Sequence, residues 1–292
     1  MAKKVVLITG ASSGIGRASA VAFRDAGYVT YASARREASL RALENEGFHV
    51  VQLDVTDEDS RRAAVARLEE EHGAVDVLVN NAGYGQNGAV EVLPLDDIRR
   101  QFETNVFGLV RLSQLVLPAM RRKGWGRIVN VGSIGGTFAT LGAGAYHASK
   151  FAVEAFSDAL RAEVEGFGVD VVLIQPTGVY TGFDKAMSAT YPQVSPESPY
   201  RFFTENHKRA SAEVFQGRNT AGVVTAERVA RKILRAASAR RPRARYKVGA
   251  SAHVLFHARR LLSDRAWDRL TRAQFPVEPL RHSSRAPSEE GA

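Results

Sequence analysis

Short, nearly unbroken apolar runs alternate with longer amphipathic stretches through the first 175 residues, and few architectures satisfy that order. Residues 5–9, 29–33, 50–53, 75–80, 127–131 and 169–174 have the length and composition of strands covered on both faces. Between them, residues 15–26 set Ile15, Ala18, Ala22 and Ala26 on one helical stripe. Residues 96–122 bring Ile98, Phe102, Val106, Leu109, Leu112, Leu115 and Val116 round at spacings of three and four, the last adjacent pair apart. Strand, helix, strand repeated in this way predicts an α/β chain with a parallel sheet and helices on both faces. Right-handed crossovers make the sheet doubly wound.

The pattern changes after residue 180. Residues 182–224 contain Pro192, Pro196 and Pro199 among small polar side chains. A segment this long without regular periodicity is expected to be a working lid with some helix. Helical spacing returns at residues 225–239 with Thr225 as cap, and residues 245–248 supply a seventh strand. The expected organisation is one catalytic domain over residues 1–250, an amphipathic helical extension over 251–275, and a flexible polar tail over 276–292. Of the 292 residues, 45% are hydrophobic and 24% charged, which excludes a disordered or fibrous chain. The absence of cysteine removes disulfides, thiolate nucleophiles and cysteine-bound metals. The first apolar run is too short for a signal-peptide core, and no run of about 18 apolar residues occurs, so a cytoplasmic protein is expected.

Thr9-Gly10-Ala11-Ser12-Ser13-Gly14-Ile15-Gly16 joins the first strand to the first helix. Glycines there permit a tight turn and let a dinucleotide pyrophosphate approach the backbone, where free amides at the helix start meet its charge. Gly10, Ser12, Ser13, Gly14, Ile15 and Gly16 are therefore candidate cofactor contacts. The second strand ends Ala32-Ser33-Ala34-Arg35-Arg36, with no carboxylate to hold the ribose hydroxyls of NAD. A guanidinium suits the 2′-phosphate of NADP, so Arg35, helped by Ser33 or Arg36, is the candidate contact and NADP(H) is favoured over NAD(H).

Tyr146 and Lys150 stand four apart in Tyr146-His147-Ala148-Ser149-Lys150, on one helical face. A phenol is a poor base at neutral pH, and a nearby ammonium favours its ionised form, so the pair has the makings of a general acid/base. With the glycine loop, Asn80-Asn81-Ala82-Gly83 after the fourth strand, Asn105 in a helix and Ser133 after the fifth strand, the chain resembles the short-chain dehydrogenase/reductase family over roughly residues 3–182. The single-domain branch is the nearer, and the 17β-hydroxysteroid dehydrogenase-like group within it. The resemblance implies a Rossmann-type fold and a catalytic tetrad of Asn105, Ser133, Tyr146 and Lys150. In it Tyr146 exchanges a proton with the substrate oxygen, Ser133 orients that oxygen, Lys150 holds the nicotinamide ribose and lowers the tyrosine pKa, and Asn105 holds a water. It also implies an adenine contact at Asp54 and Val55, a ribose-side lining of Asn81, Ala82 and Gly83, and nicotinamide contacts at Pro176, Gly178, Val179 and Thr181. Thr177 stands where the family commonly has glycine.

Tyr84, Phe138, Leu141, Tyr180, Phe183, Met187, Phe202 and Phe203 fall in segments that follow strand ends, which favours a hydrophobic ketone or aldehyde over a sugar. The expected function is NADP(H)-dependent interconversion of such a carbonyl and its alcohol. The alternatives are NAD-dependent oxidation of a lipid-like or steroid-like alcohol, or a nucleotide sensor without turnover. The charge of +9 is concentrated: residues 227–272 hold 14 Lys and Arg against 3 acids. Leu255, Arg259, Arg260, Leu261, Leu262, Trp267 and Leu270 there allow either a cover over the cleft or a subunit interface, or a peripheral membrane contact; nucleic acid is not expected. His253 and His257 are four apart but lack further ligands, and no metal is expected. Helices 96–122 and 145–166 resemble the pair through which family members form homodimers or homotetramers.

Overall fold

A computed structural model describes residues 3–215 and 222–274. Its main sheet contains β1 (Val5–Ile8), β2 (Val29–Ala34), β3 (His49–Gln52), β4 (Val77–Asn80), β5 (Gly126–Val131), β6 (Val169–Pro176) and β9 (Arg245–Val248). The order is β3-β2-β1-β4-β5-β6-β9 and every pairing is parallel. This is the doubly wound α/β sheet expected from the alternation. The chain steps from β1 outward to β2 and β3, then returns to place β4 on the other side of β1. A crevice forms where the order reverses, beyond the C-terminal ends of β1 and β4.

Strand periodicity explains why the runs are apolar throughout. Val6 and Ile8 point to one face, packing with Phe23 of α1 (Gly14–Asp25) and Val229 and Ile233 of α9 (Ala226–Ser238). Leu7 and Leu78 point to the other, packing with Leu68 of α3 (Glu58–His72) and Leu112, Val116 and Met120 of α5 (Gly108–Lys123). Both faces are buried, so no polar alternation survives. In α1 the buried stripe is Gly16, Ser19, Ala20 and Phe23, while Ile15, Ala18 and Ala22 are half-buried and Ala26 is exposed. The stripe of Ile15, Ala18, Ala22 and Ala26 expected from sequence is thus turned aside, because the helix sets Phe23, its bulkiest apolar side chain, into the core.

The helix expected over 96–122 runs from α4 (Leu95–Phe102) into α5 through a π-helical turn at Glu103–Phe107. There the Gly108 amide donates to the Glu103 carbonyl, five residues back. The lid contains α7 (Phe183–Ser188) and α8 (Arg201–Phe215), and its stem is a parallel pair of β7 (Val179–Tyr180) and β8 (Val224–Thr225). The extension expected as one helical stretch is two helices, α10 (Ala250–Leu261) and α11 (Asp264–Gln274), broken at Leu262 and Ser263. The flexible tail expected over 276–292 lies outside the described residues. Among the described residues no helix is long and apolar enough to cross a membrane.

Candidate active site

The crevice is a cavity of about 1490 Å³ whose wall runs from the glycine loop to α11. Gly10 and Gly14 have φ of 65° and 55°. A Cβ at Gly16 would lie 2.4 Å from the Gly10 carbonyl oxygen and 2.5 Å from Asn81 Nδ2. The loop therefore closes too tightly for any side chain there. Ser13 occupies the N-cap of α1 in extended conformation without a side-chain cap, leaving the first amides of the helix to a ligand. Thr9 Oγ1 accepts from the Asn81 and Ala82 amides at 2.9 Å each, and Asn81 Nδ2 donates to Thr9 O at 2.9 Å and Gly10 O at 3.2 Å. Asn81, Ala82 and Gly83 line the cavity, but the Asn81 amide is spent bracing the loop. This cradle fits a dinucleotide pyrophosphate.

At the end of β2 the expected contacts separate. Ser33 is buried and donates to Ile8 O at 3.0 Å, outside the cavity wall. It ties β2 to β1 and does not assist at a 2′-phosphate. Arg35 lines the cavity, its side chain 69% exposed and 4.0 Å from Asp54 Oδ2. Arg36 lies in an adjoining notch with Ser12, Arg17 and Ser39. Asp54 uses Oδ1 on the Thr56 amide and hydroxyl, at 2.9 and 2.7 Å. Val55 and Asp54 both line the cavity.

Ser133, Tyr146 and Lys150 meet on the cavity wall. Ser133 caps a 3₁₀ turn at Ile134–Gly136, accepting from the Gly135 amide at 3.0 Å, and its hydroxyl hydrogen-bonds the Tyr146 phenol. Tyr146 and Lys150 project from α6 (Gly144–Val164). Lys150 donates to Val131 O at 2.9 Å, and its Nζ stands 5.9 Å from the Tyr146 ring centre. Burial pushes the Tyr146 hydroxyl above its ordinary value, and Ser133 draws it part of the way back. Burial brings Lys150 down to about 8, against the pull of Glu154. The expectation that Lys150 lowers the tyrosine pKa is corrected here: desolvation of the phenol dominates, so Tyr146 is held as an acid.

Asn105 sits in the π-helical turn and is buried. Its Oδ1 accepts from the Tyr84 amide at 3.0 Å, while Nδ2 donates to Tyr84 O at 2.9 Å and Ser149 Oγ at 3.0 Å. Ser149 in turn donates to Tyr146 O at 2.7 Å. Asn105 thus clamps the loop after β4 to the helix that carries the tyrosine. His147, adjacent to Tyr146, bonds Gly135 O at 2.8 Å and the Thr140 hydroxyl at 2.9 Å, holding the loop that bears Ser133.

Pro176, Gly178, Val179 and Thr181 all reach the cavity. Thr177, replacing the usual glycine, donates to Gly222 O at 2.6 Å and so ties β6 to the far end of the lid. Thr181 packs against Gly14 and accepts from the Phe183 amide at 3.1 Å, starting α7. Of the expected apolar lining, Tyr84, Phe138, Phe183 and Met187 reach the cavity. Leu141, Tyr180, Phe202 and Phe203 do not; Phe203 stacks on His207 within the lid, and Phe202 and Tyr180 face solvent.

The sequence allowed the segment with Trp267 as a cover over the cleft, without giving the contact that Trp267 makes there. Its ring is 5.1 Å from that of Phe138, and Nε1 donates to Ala139 O at 3.1 Å. With Ile134, Phe138, Ala252 and Leu255 it forms a small core of its own. No local pattern signals such a contact across 128 residues. The C-terminal helices therefore cover the cleft. Arg245 is committed to Glu154 and Asp158, and Arg259 to Asp264, so the basic segment is not one continuous patch.

A family model described as short chain dehydrogenase matches residues 4–192. A 3-ketodihydrosphingosine reductase of Bacteroides thetaiotaomicron is 42% identical over 63% of this chain and 66% of that protein, so the match spans just under two thirds of the relative. A probable short-chain type dehydrogenase/reductase of Helicobacter pylori is 34% identical over 92% of this chain and 96% of its own. An NADPH-dependent 3-dehydrocapnine reductase of Ornithobacterium rhinotracheale is 32% identical over 91% and 95%. Among solved structures, a short-chain dehydrogenase from Streptomyces avermitilis has a TM-score of 0.77 at 31% identity, covering 92% of this chain and 95% of that one. A serine dehydrogenase complexed with NADP+ gives 0.72 at 28% over 85% and 95%. A Burkholderia phymatum protein in complex with NAD gives 0.75 at 27% over 88% and 93%. By its match over residues 4–192 and by relatives that span it almost end to end, the chain belongs to the short chain dehydrogenase family, oxidoreductases acting on CH–OH and C=O groups.

Proposed function

We propose that the protein is an NADPH-dependent reductase of a hydrophobic ketone or aldehyde. The observation that carries this reading is Tyr146, protonated through burial, hydrogen-bonded to Ser133 and set in one cavity wall with the glycine loop and an apolar cover. The amides at the start of α1 and the loop at Gly10–Gly16 would hold the pyrophosphate, Arg35 the 2′-phosphate, and Val179, Thr181 and Lys150 the nicotinamide side. When bound, NADPH supplies the hydride that reaches the carbonyl carbon. Ser133 orients the carbonyl oxygen, and Tyr146 gives it a proton as negative charge develops. Lys150, cationic below about pH 8, sits where its charge favours the phenolate that forms as the proton leaves.

Two relatives bear names that state reduction of a 3-keto or 3-dehydro compound, one of them with NADPH. Phe138, Phe183, Met187, Leu255 and Trp267 on the cavity wall suit an apolar substrate body. The reading places the enzyme in the cytoplasm. Exposed Phe107 in the π-helical turn before α5 and Phe151 and Phe156 on α6 support assembly into a homodimer or homotetramer. The test is turnover of a panel of long-chain 3-keto compounds, aldehydes and polycyclic ketones, the last covering the steroid-like group, with NADPH and NADH. Reduction of an apolar carbonyl preferentially with NADPH is the expected result. Turnover confined to sugars, or a preference for NADH throughout, overturns it.

A further inference from the structure

We infer that the corner formed by α10 and α11 docks on an anionic lipid surface, with the substrate cavity opening beside the contact. The entry route rests on the hydrophobic-carbonyl reading above; the docking itself does not.

Four large apolar side chains are exposed on this corner. Leu261 is 84% exposed, Val254 66%, Leu270 46% and Leu262 36%. Val254 and Leu261 stand seven apart on α10, two turns along one side, and Leu262 follows in the break. Soluble proteins seldom present neighbouring apolar groups of this kind without something to cover them. Arg260, Arg265, Arg269 and Arg272 are exposed around them. No ion pair involves these four among the described residues, whereas Arg259 is paired with Asp264. Arg265, Arg269 and Arg272 recur at four and three residues, one basic edge of α11. Apolar side chains edged by cations match a bilayer whose acyl boundary lies beneath anionic headgroups.

The position of the corner gives the contact a purpose. Val254, Leu255, Leu270 and Ala273 also line the cavity, so two of the four exposed apolar residues belong to its wall. An apolar substrate leaving the bilayer there would pass from lipid to the side chains around Phe138 and Trp267 without crossing open water. A nucleic acid would match the arginines but leave Leu261 and Leu262 without a complementary surface.

The full-length protein is tested by co-sedimentation with phosphatidylcholine vesicles containing or lacking phosphatidylglycerol, with neither ketone nor nucleotide present. Binding to the anionic vesicles at low salt is expected, and its loss at about 1 M salt, where the screening length is about 3 Å. The pairs Leu261→Glu with Leu262→Glu, and Arg265→Glu with Arg269→Glu, should each weaken binding about tenfold or more while leaving the melting temperature within a few degrees. Arg265→Lys with Arg269→Lys should keep most of the binding. A protein that stays in solution with anionic vesicles at low salt, or binds equally well with both glutamate pairs, overturns the inference. Because the assay reads sedimentation alone, a protein that reduces no ketone can still dock, and one that does not dock can still reduce ketones.

Discussion

The two sides of the cleft are built by different means. On the cofactor side, main-chain geometry makes the site: a positive-φ turn at Gly10 and Gly14, no room for a Cβ at Gly16, and an uncapped helix start at Ser13. On the substrate side, side chains from separate segments lean together, with Phe138 from the loop after β5, Phe183 and Met187 from the lid, and Leu255 and Trp267 from the C-terminal helices. The first needs particular residues at particular local positions. The second needs only apolar volume from wherever the chain can deliver it. A fold built this way can keep one hydride chemistry while its substrate changes.

Removing the acid from the boundary between the sides should have the largest effect. Tyr146→Phe is expected to cut kcat about a thousandfold while nucleotide affinity, followed by NADPH fluorescence, stays within twofold. Loss of both together would mean that the halves are not separable at this residue. On the cofactor side, Ala34→Asp with Arg35→Ala should move the NADPH-to-NADH ratio of kcat/KM by about a hundredfold, the worth of a charge-assisted phosphate contact exchanged for a ribose contact. An unmoved ratio would take Arg35 out of cofactor selection. On the substrate side, Trp267→Ala should raise KM for bulky ketones about tenfold with kcat little changed, since it removes binding surface and leaves the reacting groups in place. A fall in kcat instead would show that the cover also positions the Ser133 loop through Ala139.

The smallest effect is a pH dependence. Lys150 has its folded-state value brought down to about 8, so it loses its proton as pH rises through that point, while Tyr146 stays protonated. At pH 8.5, kcat/KM for reduction should fall to about a quarter of its value at pH 7 if one proton is responsible. A flat profile to pH 9.5 would remove the lysine charge from the reaction. The same depressed value works against the fold below pH 8, where burying the charged form costs most, and that cost fades as pH climbs towards the unfolded value of 10.5.

Legibility in the sequence follows the same division. The doubly wound sheet could be read because strands buried on both faces leave near-continuous apolar runs. The glycine loop and the Tyr146–Lys150 spacing could be read because each is a short pattern in one contiguous stretch of chain. Ser33 was misassigned for a different reason: a strand end shows which residues are near the crevice, not which way each hydroxyl turns, and this one turns to Ile8 O. Thr177, Ser149 and Trp267 act through partners far along the chain or through a neighbour's backbone, which spacing does not encode. The tyrosine pKa was read with the wrong sign because charge is visible in a sequence and desolvation is not.

The π-helical turn at Glu103–Phe107 has a consequence for how this chain can change. It accommodates one residue more than an ordinary turn, so the helix before it and the helix after it are out of phase with a single continuous spiral. Deleting any one residue there would let α4 and α5 merge into one ordinary helix, with both halves keeping their faces and only the bulge that presents Asn105 lost. Asn105 would then leave the Tyr84 backbone and Ser149 together, although every side chain on the far halves of both helices remained the same. At this one place the extra residue in the spiral, more than the identity of its neighbours, holds the loop after β4 and the tyrosine helix together.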